Sequence, residues 1–446
     1  MNVTLPNSPK EWHRKVWSLS WPMILANLTI PLVGVVDTAI MGRLPDPRYV
    51  GAIAVGVTIM NALYWMFGFL RMATTGLAAQ ALGADNLNEL AAVALRAAMI
   101  SLAIGLALIL LQVPLNLLAF WLFEASDQVE TLASAYFGIR IWGSPAMLLY
   151  MVELGVLFGL QQMRATLLIS VILNVTNVLL DLLFVIGFGW GVEGVAYGTI
   201  LSEWLAAGLG LIITVNAFKR SGRALAIPEH LFQRERLAAL FHVSSNLIVR
   251  TFFVQLPFFM LTALGATLGD LVLAANAVLM QFFFIMAFGL DGFAHAAETL
   301  AGHAFGARDP ERLRNASKFC ALWAGIIACA LSLIYAVLGP QLIDLLTLLP
   351  EVRETASQYL PWLIALPIIS VWAFMFDGIF IGTTRTVELR NSMFVALAIY
   401  LIAIWLSFDR FANHGIWLSM SLFMVARSLL LALQYPRIEK LAAVRD

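Results

Sequence analysis

Leu102-Ala-Ile-Gly-Leu-Ala-Leu-Ile-Leu-Leu-Gln-Val-Pro-Leu-Asn-Leu117 runs for sixteen residues without a charge and without alternation of apolar and polar positions. A strand of a membrane β-barrel is about ten residues of alternating character, so this run reads as membrane helix. Crossing a hydrocarbon core of ~30 Å takes about 20 apolar residues, and with its neighbours the run fills 94–122. Working outward between Pro, Gly and charge punctuation predicts twelve spans, at 17–41, 50–81, 94–122, 131–160, 165–187, 194–218, 240–266, 273–304, 317–344, 356–383, 390–407 and 413–435. Composition agrees: 61% of the 446 residues are hydrophobic and 12% charged, with mean hydropathy +0.87, against roughly a quarter charged in soluble domains. A soluble enzyme is excluded.

Twenty-seven Lys+Arg balance 27 Asp+Glu, so bulk charge gives no argument for a nucleic-acid partner, but the positions of the basic residues are informative. Nineteen of them fall in the termini and the even-numbered loops and only Arg43, Arg48, Arg353 and Arg410 in odd-numbered loops. Cytoplasmic loops are the basic ones, which puts both termini inside. The start, with its basic residues ten positions in and no small-residue cleavage site, reads as the lead into the first span rather than as a signal peptide.

The chain also matches itself at an offset of 223: Leu77-Ala-Ala-Gln-Ala-Leu-Gly-Ala84 lies over Leu300-Ala-Gly-His-Ala-Phe-Gly-Ala307, and Gly155-x-x-x-Gly159 over Gly378-x-x-x-Gly382. Six spans per half is an even number, so both halves enter from the same side as a parallel repeat. The fold class expected is all-α integral membrane: twelve transmembrane helices in two parallel-repeat six-helix lobes around a central cavity. The N-lobe takes 1–218, a cytoplasmic linker 219–239 and the C-lobe 240–446. Two lobes about a midplane cavity suit a transporter.

Ionisable groups in a bilayer cost at least ~2.5–3.5 kcal/mol each, which makes them functional candidates. Asp37, Asp181, Thr199 and Tyr136 converge on one level near the outer side. Asn174, Asn177 and Asp181, at i, i+3 and i+7, share one helical face. Carboxylate, carboxamide and hydroxyl oxygens suit either a shared proton or Na+, and pairing Asp37 with Asp181 would favour protonation of one of them. At the offset of 223 the counterparts of Asp37, Asn177 and Asp181 are Met260, Tyr400 and Ile404, so the acids belong to the first half alone. Pro22 and Pro31 interrupt the first span and permit a bend in the helix carrying Asp37. Glu153, Arg250, Asp291, Glu298 and Asp377 read as members of bracing ion pairs, and the paired glycines as close helix contacts. Cys320 and Cys329 read as core filler, and Gly187-x-Gly-x-Gly191 as a turn rather than a nucleotide fingerprint.

At this point the residues resemble a family. Asp37-Thr-Ala-Ile-Met-Gly-Arg-Leu44 with the doubled Leu-Ala-x-x-Ala-x-Gly-Ala segments resembles the multidrug and toxic compound extrusion family, and Leu290-Asp-Gly-Phe-Ala-His-Ala-Ala-Glu298 and Phe376-Asp-Gly-Ile-Phe-Ile-Gly382 resemble its DNA-damage-inducible bacterial branch. The resemblance implies a secondary multidrug efflux antiporter of the bacterial inner membrane, exporting amphipathic or cationic compounds in exchange for H+ or Na+. It implies a cation-coupling site of Asp37, Asn177, Asp181 and Thr199 supported by Tyr136 and Pro22, to which the shared helical face adds Asn174. No cofactor or resident metal is expected beyond the coupling ion; the partners expected are small-molecule drugs and membrane lipid, with the protein a monomer. A flippase for lipid-linked precursors ranks second, because it would prefer a strongly cationic cavity and Arg71, Arg140, Arg250 and Arg427 are few. A non-transporting scaffold ranks last, since the loops are short.

Overall fold

The computed structural model describes residues 5–42, 47–122, 126–220 and 231–444, with side chains 30–39, 41, 47 and 220 outside the description. In the described residues everything regular is helical. The helices are α1 (Pro9–Met41), α2 (Pro47–Met66), α3 (Phe69–Gly83), α4 (Leu87–Leu110), α5 (Gln112–Leu122), α6 (Asp127–Arg140), α7 (Ser144–Gly159), α8 (Met163–Asp181), α9 (Gly191–Arg220), α10 (Arg234–Thr267), α11 (Asp270–Gly306), α12 (Pro310–Leu346), α13 (Pro350–Gly382), α14 (Thr386–Phe411) and α15 (Asn413–Ala442). Eleven stretches among the described residues are long and apolar enough to cross a membrane, and α1 covers the expected first span.

Where one span holds two helices, the sequence supplies the break. Gly68 separates α2 from α3, and Pro114, which lacks an N–H to donate, follows the break at Leu111 between α4 and α5. A short 3-10 turn, Ile141–Gly143, links α6 to α7, whose Pro145 stands in the first turn where no donor is required. The last turn of the α8 span widens to a π-helix, Leu182–Gly187. Gly189 and Gly191 then adopt left-handed φ of +71° and +58°, the turn expected there. Prolines 257, 340, 361, 367 and 436 lie inside helices that continue through them. The amphipathic pattern of a soluble helix is inverted here: Leu110 is 82% exposed and Trp405 78% exposed, a surface suited to lipid rather than water. Cys320 is buried as expected, whereas Cys329 faces outward.

The chain forms two compact units. The first comprises Leu25–Ala81 and Asn86–Ala238, and the second Thr4–Ile24, Leu82–Asp85 and Ala239–Asp446. In the first, α7, α8 and α9 enclose an apolar cluster of Ala146, Tyr150, Leu157, Ile169, Ala206 and Ala207. In the second, Trp12, Trp417, Tyr400, Phe293, Phe380 and Phe423 are the largest fully buried side chains.

The repeat is visible at atomic detail. Asn86 caps α4 by accepting from the Glu89 N–H at 3.0 Å, and Asp309, 223 residues on, caps α12 by accepting from the Arg312 N–H at 2.9 Å. The residue before each cap is left-handed, Asp85 at φ 53° and Arg308 at 55°; so are Gln161 at 58° and Thr384 at 53°, again 223 apart. Glycines 155 and 378 rest on backbone at equivalent places: a Cβ on Gly155 would lie 2.7 Å from the Arg71 carbonyl oxygen, and one on Gly378 would collide with that of Ala294. These glycines are there for helix-to-helix contact, as their spacing suggested.

Candidate cation-coupling site

Asp181 ends α8 fully buried. Its carboxyl lies against Gly198 of α9, where a Cβ would collide with Oδ1. One turn earlier, Asn177 donates from Nδ2 to Thr199 Oγ1 at 3.1 Å, and the Thr199 hydroxyl donates back to the Val195 carbonyl at 2.8 Å. Asn174 donates from Nδ2 to Thr29 Oγ1, and the Thr29 hydroxyl donates to Ala26 O at 2.6 Å. The face of α8 read from the sequence is therefore bonded on one side to α9 and on the other to α1. Thr29 is a member that periodicity did not single out. Asp37 lies on α1 with its side chain outside the described residues; Pro22 is buried within the same continuous helix.

Tyr136 of α6 is 3% exposed and lies within electrostatic reach of Arg140, Glu203 and Asp181. Gly56 of α2 makes room for its ring: a Cβ there would come 3.1 Å from Tyr136 Cγ. Arg140 and Glu203 form a buried two-pronged pair, Nη1 to Oε2 and Nη2 to Oε1, both 2.9 Å. The guanidinium lies 5.8 Å from the centroid of the Tyr64 ring, whose hydroxyl is 3.3 Å from that of Ser144. Gly198, Thr199, Ser202 and Glu203 thus line one stripe of α9, placing hydroxyls and a carboxylate between Asp181 and Arg140. Glu203 was absent from the sequence-based candidates, although an acid in the middle of an apolar span was signal enough to find it.

In the second unit Asp377 Oδ2 accepts from Arg250 Nη2 and from Arg427 Nη2, the latter at 2.6 Å, and Glu298 stands 3.4 Å from His295 Nδ1. Arg250 with Asp377 is a bracing pair of the kind expected there, while Arg427 and His295 are partners that the sequence alone does not place in such pairs. Glu153, expected to join such a pair, has no hydrogen-bonding or ionic partner among the described residues.

Two like helical units with a buried oxygen cluster in one of them define a multi-pass membrane transporter. The MatE family model matches the chain twice, over residues 22–183 and 247–408, and the chain belongs to that family, whose members are transporters and not enzymes. Starts and ends of the two matches lie 225 residues apart, two from the internal offset of 223. The chain is 37% identical over 419 residues to the DNA damage-inducible protein F of Escherichia coli (strain K12), covering 94% of this chain and 91% of that one. It is 24% identical to the "Probable multidrug resistance protein NorM" of Acinetobacter baylyi (strain ATCC 33305 / BD413 / ADP1), covering 87% and 86% of the two chains. Its fold is that of a solved outward-facing multidrug resistance MATE family transporter of the MOP superfamily: TM-score 0.87, 18% identity, 97% of each chain covered.

Proposed function

We propose that this transporter is a secondary antiporter that exports amphipathic, cationic organic compounds in exchange for protons taken up at Asp37 and Asp181. Asn177 and Thr199 complete the coupling site, while Tyr136, Asn174 and Pro22 support it. The observation that carries the reading is Asp181 itself, a fully buried carboxyl closed in by Gly198 at the end of an apolar span. Thr199 donates inward to Val195 O and accepts from Asn177, so that the polar side chains of α8 and α9 are tied together beside the carboxyl that takes the proton. Uptake of a proton removes the negative charge, which Pro22 lets α1 answer by bending, contracting the first lobe on its cargo. Each elementary charge that enters in excess of the charge exported, falling through 100 mV, supplies about 2.3 kcal/mol, roughly a fiftyfold gradient.

In this reading the lobes are 1–218 and 240–446, joined by a cytoplasmic linker at 219–239, and the monomer sits in the bacterial inner membrane with both termini inside. The test is ethidium efflux from liposomes under an imposed pH gradient and, separately, an imposed Na+ gradient. The pH gradient alone drives export, and Asp37→Asn and Asp181→Asn each abolish it in folded protein. Export that requires Na+ changes the ion; export under neither gradient overturns antiport in favour of lipid-precursor flipping.

A further inference from the structure

Glu153 sits in the middle of α7, 3% exposed. Its carboxyl rests on the backbone of α9 in space that Gly210 leaves: a Cβ there would lie 2.8 Å from Glu153 Cδ and nearer still to Oε2. One turn to either side on α7 stand Tyr150 and Leu157, and one turn before Gly210 on α9 stands Ala206, all members of the apolar cluster. Neither carboxyl oxygen has a hydrogen-bond partner among the described residues. The other buried acids of known pairing differ from it: Glu203 has Arg140, Asp377 has Arg250 and Arg427, and Glu298 has His295.

Of the charged groups on the helices packed against α7, Arg164 stands in the first turn of α8, Glu193 in the first turn of α9 and Lys219 and Arg220 in its last, and the others are engaged elsewhere. Arg96 of α4 binds Glu89 at 3.0 Å and the Leu231 carbonyl at 2.8 Å. Glu203 of α9 holds Arg140 of α6, and Arg71 of α3 lies over the Phe158 ring at 5.2 Å from its centroid. Asp181 of α8 lies against Gly198, three turns along α9 from Gly210. On α7 itself the Tyr150 hydroxyl is bonded to Ser170 at 2.9 Å. Among the described residues no cation forms an ion pair or hydrogen bond with the Glu153 carboxyl.

An ionised carboxylate in such surroundings carries a desolvation cost that nothing repays, and the group takes a proton instead. Packing does not call for an acid. The counterpart of Glu153 at the offset of 223 is Phe376, half-buried, and that of Gly210 is Leu433, 77% exposed, so the second copy of the fold stands with neither the acid nor the glycine at these positions. Only the first unit carries at these positions a buried carboxyl and the glycine that accommodates it.

We propose that Glu153 is a second proton-binding residue of the first unit. It holds a proton in the conformation described here and releases it to water, its O–H bond breaking to give carboxylate and hydronium, when α7 and α9 part. Its use in export rests on the proton antiport proposed above; its protonation does not. With Glu153 acting in series with the Asp37/Asp181 site, the transport cycle moves a second proton.

The experiment joins two readouts on purified protein in lipid. Infrared spectroscopy at neutral pH, with Asp37→Asn and Asp181→Asn in the background so that no acid remains at that site, is expected to show the carbonyl stretch of a buried, protonated carboxylic acid that is lost on adding Glu153→Gln. Ethidium accumulation in proteoliposomes is followed against the imposed pH gradient: the logarithmic slope is expected to fall from about two protons per ethidium to about one in Glu153→Gln, while thermal stability holds. Glu153→Leu, which follows the apolar choice of the second unit, repeats both measurements independently of how the amide packs. A band that survives in both variants, or one that is lost while the slope stays unchanged, overturns the proposal. Export driven by Na+ alone would overturn the reading at Asp37 and Asp181 and leave the infrared result standing, so the two failures are distinct.

Discussion

Arg140 and Glu203 show what a single residue costs in this interior. The pair is two-pronged and buried, and removing one partner strands the other as an uncompensated charge. Arg140→Met is therefore expected to destabilise the protein by ~3–5 kcal/mol, and the double variant Arg140→Met/Glu203→Leu to recover most of the loss. Thermal unfolding of all four members of the cycle checks this; singles that cost no more than the double would show that the two groups do not depend on each other. Gly198 gives a sharper test of the coupling site. Gly198→Ala pushes a methyl group into the Asp181 carboxyl, whereas Gly208→Ala on the same helix meets nothing within 4 Å. The first should depress pH-driven export at least tenfold and the second leave it unchanged, read in the same liposome assay. Helical spacing placed Asn174, Asn177 and Asp181 on one face because that is a local property of α8. It could not say that Thr29 and Thr199 would meet that face from two other helices, nor that Glu153 would find no cation. Those outcomes depend on how distant helices are rotated against one another, which no short window of sequence records.

Among the elements, the expected spans 94–122 and 131–160 ran unbroken through Leu111 and Ile141–Gly143, although Pro114 and Pro145 stand beside those breaks, and the widened end of α8 was not legible at all, because nothing in Leu182-Leu-Phe-Val-Ile-Gly187 departs from an ordinary apolar helix. The capping residues recur as faithfully as the helices. Asn86→Ala and Asp309→Ala each remove one side-chain acceptor from an N-terminal N–H, and each should cost about 1 kcal/mol in thermal unfolding. Markedly unequal losses would mean that the two caps are not equivalent. Substitutions at the glycine contacts act differently. Gly155→Leu and Gly378→Leu drive side chains into neighbouring backbone, which cannot move aside as a side chain can, so both should exceed the 1–3 kcal/mol (roughly) of ordinary overpacking and show as loss of folded protein on expression.

At the scale of the whole molecule, orientation is open to direct measurement. With the exposed Cys329 replaced by Ser and Cys320 left buried, a cysteine added at Lys10→Cys or Arg437→Cys should be labelled by a membrane-impermeant thiol reagent only after the cytoplasmic side is opened. Ser126→Cys, between α5 and α6, should be labelled in intact cells. The reverse pattern would invert the topology inferred from the 19 basic residues of the termini and even-numbered loops. The parallel relation of the two halves carries a further consequence. Each half holds an even number of crossings and so returns to the side it left, which means that the order in which the ribosome delivers the halves is not dictated by membrane topology. A circularly permuted gene, opened between Lys219 and Leu231 and closed by a flexible peptide from Asp446 to Met1, should still insert with every helix pointing the right way.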